Sequence, residues 1–244
     1  GVVTVNSMFI GFSCIFLIDS LFKEENKKMK LLLLLGLFLL IIGEVFTSSR
    51  GGLLVLILIG SIHVILNIYR KKVISSVIKG GLILLPLLSI IIILFRDFIN
   101  SYIETVFLSN SASTSNNSRI LKWKLALKFF TDNPLLGIGT GQFGILQSQL
   151  TNGWSSSNPH NLMLQLLSEN GLIYTLYFYG VIIYFLITYY NKLKDSEYYS
   201  IYLAILYWFF SSFYMGVLDN LILGLSFVIF LALGGGVSPN PFRK

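Results

Sequence analysis

Apolar residues fall in long, nearly unbroken runs along this chain, separated by short polar connections. About 20 consecutive apolar residues cross the hydrocarbon core of a bilayer as an α-helix. Seven runs approach that length: Val2–Phe22, Leu31–Ser48, Gly52–Tyr69, Val73–Phe95, Asn161–Tyr190, Ser200–Val217 and Leu221–Leu233. The last is short and the first carries Asn6 and Asp19, yet the pattern predicts an all-α fold, a polytopic transmembrane bundle of about seven spans. A membrane β-barrel would show short alternating segments instead. The runs divide the chain into spans 1–4 over 1–95, a polar segment over 96–160, spans 5–7 over 161–234 and a tail over 235–244.

Charge placement gives the bundle a direction. Four lysines lie in Lys23–Lys30, Arg70, Lys71 and Lys72 follow the third run, Lys192 and Lys194 the fifth, and Arg243 and Lys244 the seventh. Alternating spans put all of these on one side, and the positive-inside bias makes that side cytoplasmic. The turn at Ser48–Gly51, the segment 96–160 and the turn at Met215–Asn220 then face outward, in an inner-membrane, multi-pass topology. A net charge of +7 is thereby explained without nucleic acid, because it sits in connections between spans. Composition agrees: 12% charged residues is about half the level of an ordinary soluble domain, and mean hydropathy is +0.76. The single cysteine, Cys14, leaves no intrachain disulfide. No basic residue precedes the first run, so no cleavable signal peptide is read. A chain beginning at Gly1 is expected to be a fragment or processed product with helices missing ahead of it.

The polar segment opens on LSNSASTSNNS, expected as a flexible linker ending at Ser118, which can cap a helix from Arg119 to about Phe130. Ile120, Trp123, Leu127 and Phe130 follow helical spacing, and Lys122, Lys124 and Lys128 are expected to snorkel to water, as on an interfacial amphipathic helix. Asn133-Pro134 ends it, and the glycines that follow form a tight turn. Gly139 to Gly144 match the dinucleotide-binding glycine pattern, but no strand of a βαβ unit precedes them. No Cys, His and carboxylate cluster has metal-ligand spacing, so neither a metal nor a cofactor is expected. No convincing internal repeat is found, which disfavours a secondary transporter.

Three elements carry a family likeness: Thr47-Ser48-Ser49-Arg50-Gly51-Gly52; Ser118-Arg119 with Trp123 and the turn Asn133 to Gly139; and His160-Asn161 leading to Glu169-Asn170-Gly171. In this order the chain resembles the O-antigen ligase and polysaccharide polymerase superfamily of Wzy/WaaL-type membrane glycosyltransferases. The resemblance implies an enzyme that takes a glycan from a polyprenyl-pyrophosphate donor on the outer face of the cytoplasmic membrane. Polymerisation of lipid-linked repeat units into a surface polysaccharide is the expected activity. The alternatives are an O-antigen or protein glycan ligase using the same donor, and a lipid-linked glycan transporter. Implied partners are the lipid-linked oligosaccharide, membrane lipid, a chain-length regulator and a flippase.

Residue by residue, each functional reading has a plainer rival. Arg50 is either a helix-end arginine or, with its bidentate fork, a pyrophosphate contact. Arg119 is either solvated or a second pyrophosphate contact, since a cation in the first turn opposes the helix dipole. His160 is either a hydrogen-bonded interfacial histidine or, on the family reading, the residue that takes or orients the acceptor's hydroxyl proton. Arg50, Arg119 and His160 are therefore the expected catalytic residues, with Arg50, Arg119, Asn161 and Glu169 binding substrate. Glu169 lies nine residues beyond His160, about 13 Å along an unbroken helix, so a structural or pocket role is weighed beside it. Asp19 and Glu44 share that ambiguity, His63 reads as structural, and Asp219 as a solvated turn residue.

Overall fold

The computed structural model describes residues 2–71, 96–104, 110–150, 158–193, 198–215 and 221–236. Among them there is no strand. The helices are α1 (Val2–Lys23), α2 (Lys27–Thr47), α3 (Arg50–Lys71), α4 (Arg96–Ile103), α5 (Asn110–Asp132), α6 (Gln142–Leu150), α7 (Leu162–Leu193), α8 (Tyr199–Ser211) and α9 (Leu221–Gly236). Three stretches are apolar and long enough to cross a membrane: Val5–Lys23, Lys27–Thr47 and Leu162–Tyr190. Arg50–Ile65, Tyr199–Ser211 and Gly224–Leu233 are shorter apolar helices. The expected span Val73–Phe95, Asp219 and the tail from residue 237 lie outside the described residues.

Helix α8 is the centre of the bundle. Ile201, Leu203, Ala204, Ile205, Tyr207 and Trp208 are buried around it, packed by Met8, Phe12 and Ile15 of α1, Ile59 of α3 and Phe227 of α9. Helix α2 is the opposite case: Leu31, Leu32, Leu35, Phe38 and Leu39 are each more than half exposed. A helix apolar on all faces, exposed on most of them, belongs in lipid rather than in water.

Side-chain pairings assign the helix ends to two faces of the bundle. At one, Asp19 of α1 binds Lys23 Nζ at 2.5 Å and His63 Nε2 of α3 at 3.5 Å, and the His63 ring lies 5.5 Å from Tyr199 at the start of α8. Asp19 is thus an ion-paired acid that also meets the His63 ring of α3. At the other, the α2–α3 turn, the start of α7 and the end of α8 converge: Leu162 N–H donates to Ser212 O at 2.8 Å and Asn161 Nδ2 donates to Phe213 O at 2.8 Å. The 21 residues of α2 put roughly 30 Å between these faces.

Two expectations for the polar segment change. Helix α5 begins at Asn110, so Ser118 lies inside it rather than capping it, and the expected linker is helical from Asn110 onward. Extending a helix that packing already holds costs little per residue, which lets a polar run without strong propensity join it. The buried face of α5 is also not the one the apolar spacing marks. Ile120 and Leu127 are exposed, whereas Lys122, Ala126 and Phe129 are buried. Lys122 is only 9% exposed and does not snorkel to water, unlike Lys124 and Lys128.

Candidate active site

Arg50 is placed by the α2–α3 turn. Ser48 closes α2 in the left-handed region (φ 53°), its N–H donating to Val45 O at 3.1 Å. Ser49 then caps α3, its Oγ accepting from Gly52 N at 3.4 Å, so Arg50 becomes the first residue of the helix. A cation is disfavoured there by the helix dipole. That argument was expected to apply to Arg119, but Arg119 lies mid-helix in α5 and the dipole opposes Arg50 instead. A side chain at Gly51 would strike the ring of Tyr214, so only glycine lets the end of α8 close against this turn. Beneath it Ser7 Oγ donates to the buried Glu44 Oε1 at 2.5 Å.

His160 is held by an elbow at the start of α7. Its backbone is left-handed (φ 52°), and its N–H donates to Asn158 Oδ1 at 3.0 Å. A non-glycine residue in this region persists only where its surroundings fix it. Three contacts do so. Trp123 Nε1 of α5 donates to Pro159 O at 2.8 Å, Asn161 Nδ2 to Phe213 O, and Asn161 Oδ1 accepts from Leu164 N at 3.0 Å as the cap of α7. Asn161, an expected substrate contact, thus uses both ends of its amide to position its neighbour.

Arg119 of α5 interacts electrostatically with Arg50 at the start of α3 and with His160 at the α7 elbow. Burial first, then the charge of Arg50, lowers the proton affinity of Arg119. Burial, then Arg119, lowers that of Lys122. Burial, then Lys122, then Arg119, pushes His160 down from 6.5 to about 4. Its imidazole is therefore neutral at neutral pH. Neither Arg50 nor Arg119 is paired with a carboxylate among the described residues. Guanidinium groups with no carboxylate partner among the described residues, beside a helix N-terminus, have the chemistry to bind an anion. Tyr214 joins the cluster, its hydroxyl buried and coupled to Arg119. Neither Lys122 nor Tyr214 was among the expected site residues. The one signal for Lys122 was its spacing, three residues after Arg119 and one before Trp123.

Glu169 has another task. It is buried, and its Oε1 accepts from Phe143 N at 3.0 Å, capping the start of α6. Around it the turn Asn133 to Gly139 locks onto α7: Ile138 N–H donates to Ser168 O at 2.9 Å, Gly139 N–H to Glu169 O at 2.8 Å and Leu172 N–H to Pro134 O at 2.8 Å. Gly171 (φ 75°) breaks α7 at this point, and a side chain there would strike the backbone of Leu135. A cavity of about 490 Å³ lies between α1, α2 and α3, lined by Cys14, Ile18, Leu37, Ile41, Glu44 and Leu56. Among the described residues no group of His, Cys, Asp and Glu is arranged to hold a metal.

This geometry coincides with a family match. The sequence fits the family model described as O-antigen ligase over residues 35–179, more than half of the chain. The chain belongs to the O-antigen ligase family. The matched stretch contains Arg50, Arg119, Lys122, His160, Asn161 and Glu169. The O-antigen ligase assignment and the apolar helices together make this a membrane protein. A ComP-specific O-oligosaccharyltransferase of Acinetobacter baylyi (strain ATCC 33305 / BD413 / ADP1) is 28% identical over 185 residues, 72% of this chain and 32% of that protein. The chain thus spans about a third of the length of this curated relative.

Proposed function

We propose that the protein transfers a glycan from a polyprenyl-pyrophosphate donor to an acceptor hydroxyl, as a ligase rather than as a polymerase. The expected polymerase activity gives way because the family is described as O-antigen ligase and the relative is named an O-oligosaccharyltransferase. The observation that carries the reading is a run of interacting groups, Arg50 acting on Arg119 and Arg119 acting on the neutral His160 imidazole, with neither guanidinium paired to a carboxylate among the described residues. Arg50 and Arg119 hold the pyrophosphate and stabilise the charge that grows on it as it leaves. The acceptor oxygen forms a bond to the anomeric carbon, the bond from that carbon to the phosphate oxygen breaks, and His160 takes the hydroxyl proton. The apolar cavity between α1, α2 and α3 suits the lipid tail of such a donor. The convergent face lies outside the cytoplasm, opposite the lysines of Lys23–Lys30.

Purified full-length protein, incubated with fluorescent lipid-linked oligosaccharide and candidate acceptors, tests this. Ligase activity gives one glycan per acceptor hydroxyl and free polyprenyl pyrophosphate. A ladder of repeat units would restore the polymerase reading. Donor that binds and crosses vesicles with no new glycosidic bond would make the protein a transporter.

A further inference from the structure

The turn that follows α5 presents two leucines to its surroundings. Leu135 is 59% exposed and Leu136 78%. A single exposed leucine is ordinary on any protein and calls for no explanation. This pair differs because the backbone beneath it is clamped to α7. Ile138 and Gly139 donate their N–H groups to the Ser168 and Glu169 carbonyls, Leu172 N–H donates to Pro134 O, and Asn170 Nδ2 donates to Thr140 Oγ1 at 2.7 Å. Gly137 lies against the backbone of Glu169 and Asn170, and Gly171 against that of Leu135 and Leu136, so closely that a side chain at either would strike it. The two leucines therefore stand on a fixed platform.

Helix α7 shows where that platform sits. Beyond the break at Gly171, Ile173, Leu176, Ile183 and Ile187 are exposed at helical spacing, along one face of a stretch long and apolar enough to cross a membrane. Such a stripe faces lipid. It starts just after Gly171, so the leucine pair seated on Gly171 continues it outward. Tyr174 and Tyr177 are exposed at the same end, and tyrosine is a residue type that collects at the membrane–water boundary. Length agrees. The run Leu172–Leu193 rises about 30 Å at ~1.5 Å per residue, which matches a hydrocarbon core about 30 Å thick. Measured from the end beside Lys192 and Lys194, which the charge bias makes cytoplasmic, the turn reaches the outer interface.

We propose that Leu135 and Leu136 are a membrane anchor, seated in the interfacial layer of the outer leaflet. The occupant of this surface is lipid, because the surface continues the lipid-facing stripe of α7 and the turn from Pro134 to Thr140 carries no charge. The interfacial contact expected along α5 falls on this turn instead, and Trp123, expected on that face, is turned to the Pro159 carbonyl. The anchor fixes the end of α5, the helix that carries Arg119, at the outer surface of the membrane. It stands whether or not Arg119 binds pyrophosphate.

The test is fluorescence quenching on full-length protein in nanodiscs, with an environment-sensitive fluorophore attached to Leu136→Cys and, as a second site, to Leu135→Cys. Leu176→Cys marks lipid and Ser115→Cys marks water, since both residues are exposed. Cys14 is buried, and the wild type serves as the labelling blank. Phosphatidylcholine brominated on its acyl chains is compared with iodide in the buffer. Both leucine sites should lose fluorescence to the bromolipid as Leu176→Cys does, most strongly when the bromine lies near the glycerol end, and should resist iodide better than Ser115→Cys. Quenching by iodide as at Ser115→Cys, with no response to bromolipid, overturns the proposal and leaves the turn in water. Protection from both quenchers also overturns it and assigns the turn a protein contact, within the chain or with a second copy.

Discussion

At Arg50 the chain puts a permanent cation on the first turn of α3, where the helix dipole opposes it, and packs Arg119 close enough for the two charges to interact. Such a pair is stable when an anion occupies it. Arg50→Ala and Arg119→Ala should each lower transfer by about 100-fold or more, the scale of losing one preorganised charge-stabilising group. Lysine at either position should recover little, because it lacks the bidentate fork. Normal turnover in both alanine variants would remove the donor site. His160 adds a pH signature. The folded protein takes this proton near pH 4 and the unfolded chain near 6.5, so acidification protonates the unfolded chain first. The stability this group contributes is whole above about pH 6.5 and is lost as pH falls toward 4. His160→Gln should flatten that part of the stability profile, and an unchanged profile would mean that the imidazole is not buried as described. Arg50, Arg119 and His160 stood out in the sequence because polar groups are sparse in an apolar chain. Lys122 did not, because helical spacing alone sends a lysine beside apolar residues to water. Only the packing of α5 on α7 shows it turned inward.

Among the elements, the α7 elbow and the α6 cap decide whether the site keeps its shape. Trp123 of α5 fixes the Pro159 carbonyl, and with it the left-handed backbone of His160. Trp123→Phe keeps the ring and removes the indole donor, which is worth about 1 kcal/mol. It should lower kcat while leaving donor affinity near wild type; equal loss of donor affinity would mean that α5 as a whole has moved. Glu169 acts at the same scale. Glu169→Ala leaves the Phe143 N–H of α6 without its acceptor, and should destabilise the protein by about 1–3 kcal/mol in thermal or denaturant melts. Glu169→Gln, which keeps an acceptor oxygen, should be milder. The helices were readable from apolar runs and from breakers such as Asn133-Pro134. The interlock of that turn with Gly171 was not readable, because it joins residues 30 or more positions apart through backbone atoms, which carry no side-chain pattern.

Across the whole molecule, the two faces of the bundle differ in chemistry. One carries the Asp19–Lys23 pair and the loop lysines, the other the arginines and His160. Side-specific labelling should follow this division. Ser115→Cys on α5 should react with an impermeant thiol reagent added to intact cells, with the outer membrane permeabilised where one is present. Lys27→Cys should react only after lysis, and the reverse pattern would invert the topology. Distant stretches of sequence meet at the arginine face, and the proposed transfer depends on that meeting. The measurement that tests it most directly is single-turnover transfer by purified full-length wild type, His160→Ala and His160→Gln at saturating lipid-linked donor, with donor binding measured in parallel. The account predicts that both variants bind donor as the wild type does and lose roughly 100- to 10,000-fold in rate, because a glutamine amide orients a hydroxyl but cannot take its proton. Transfer by His160→Gln at the wild-type rate would contradict it.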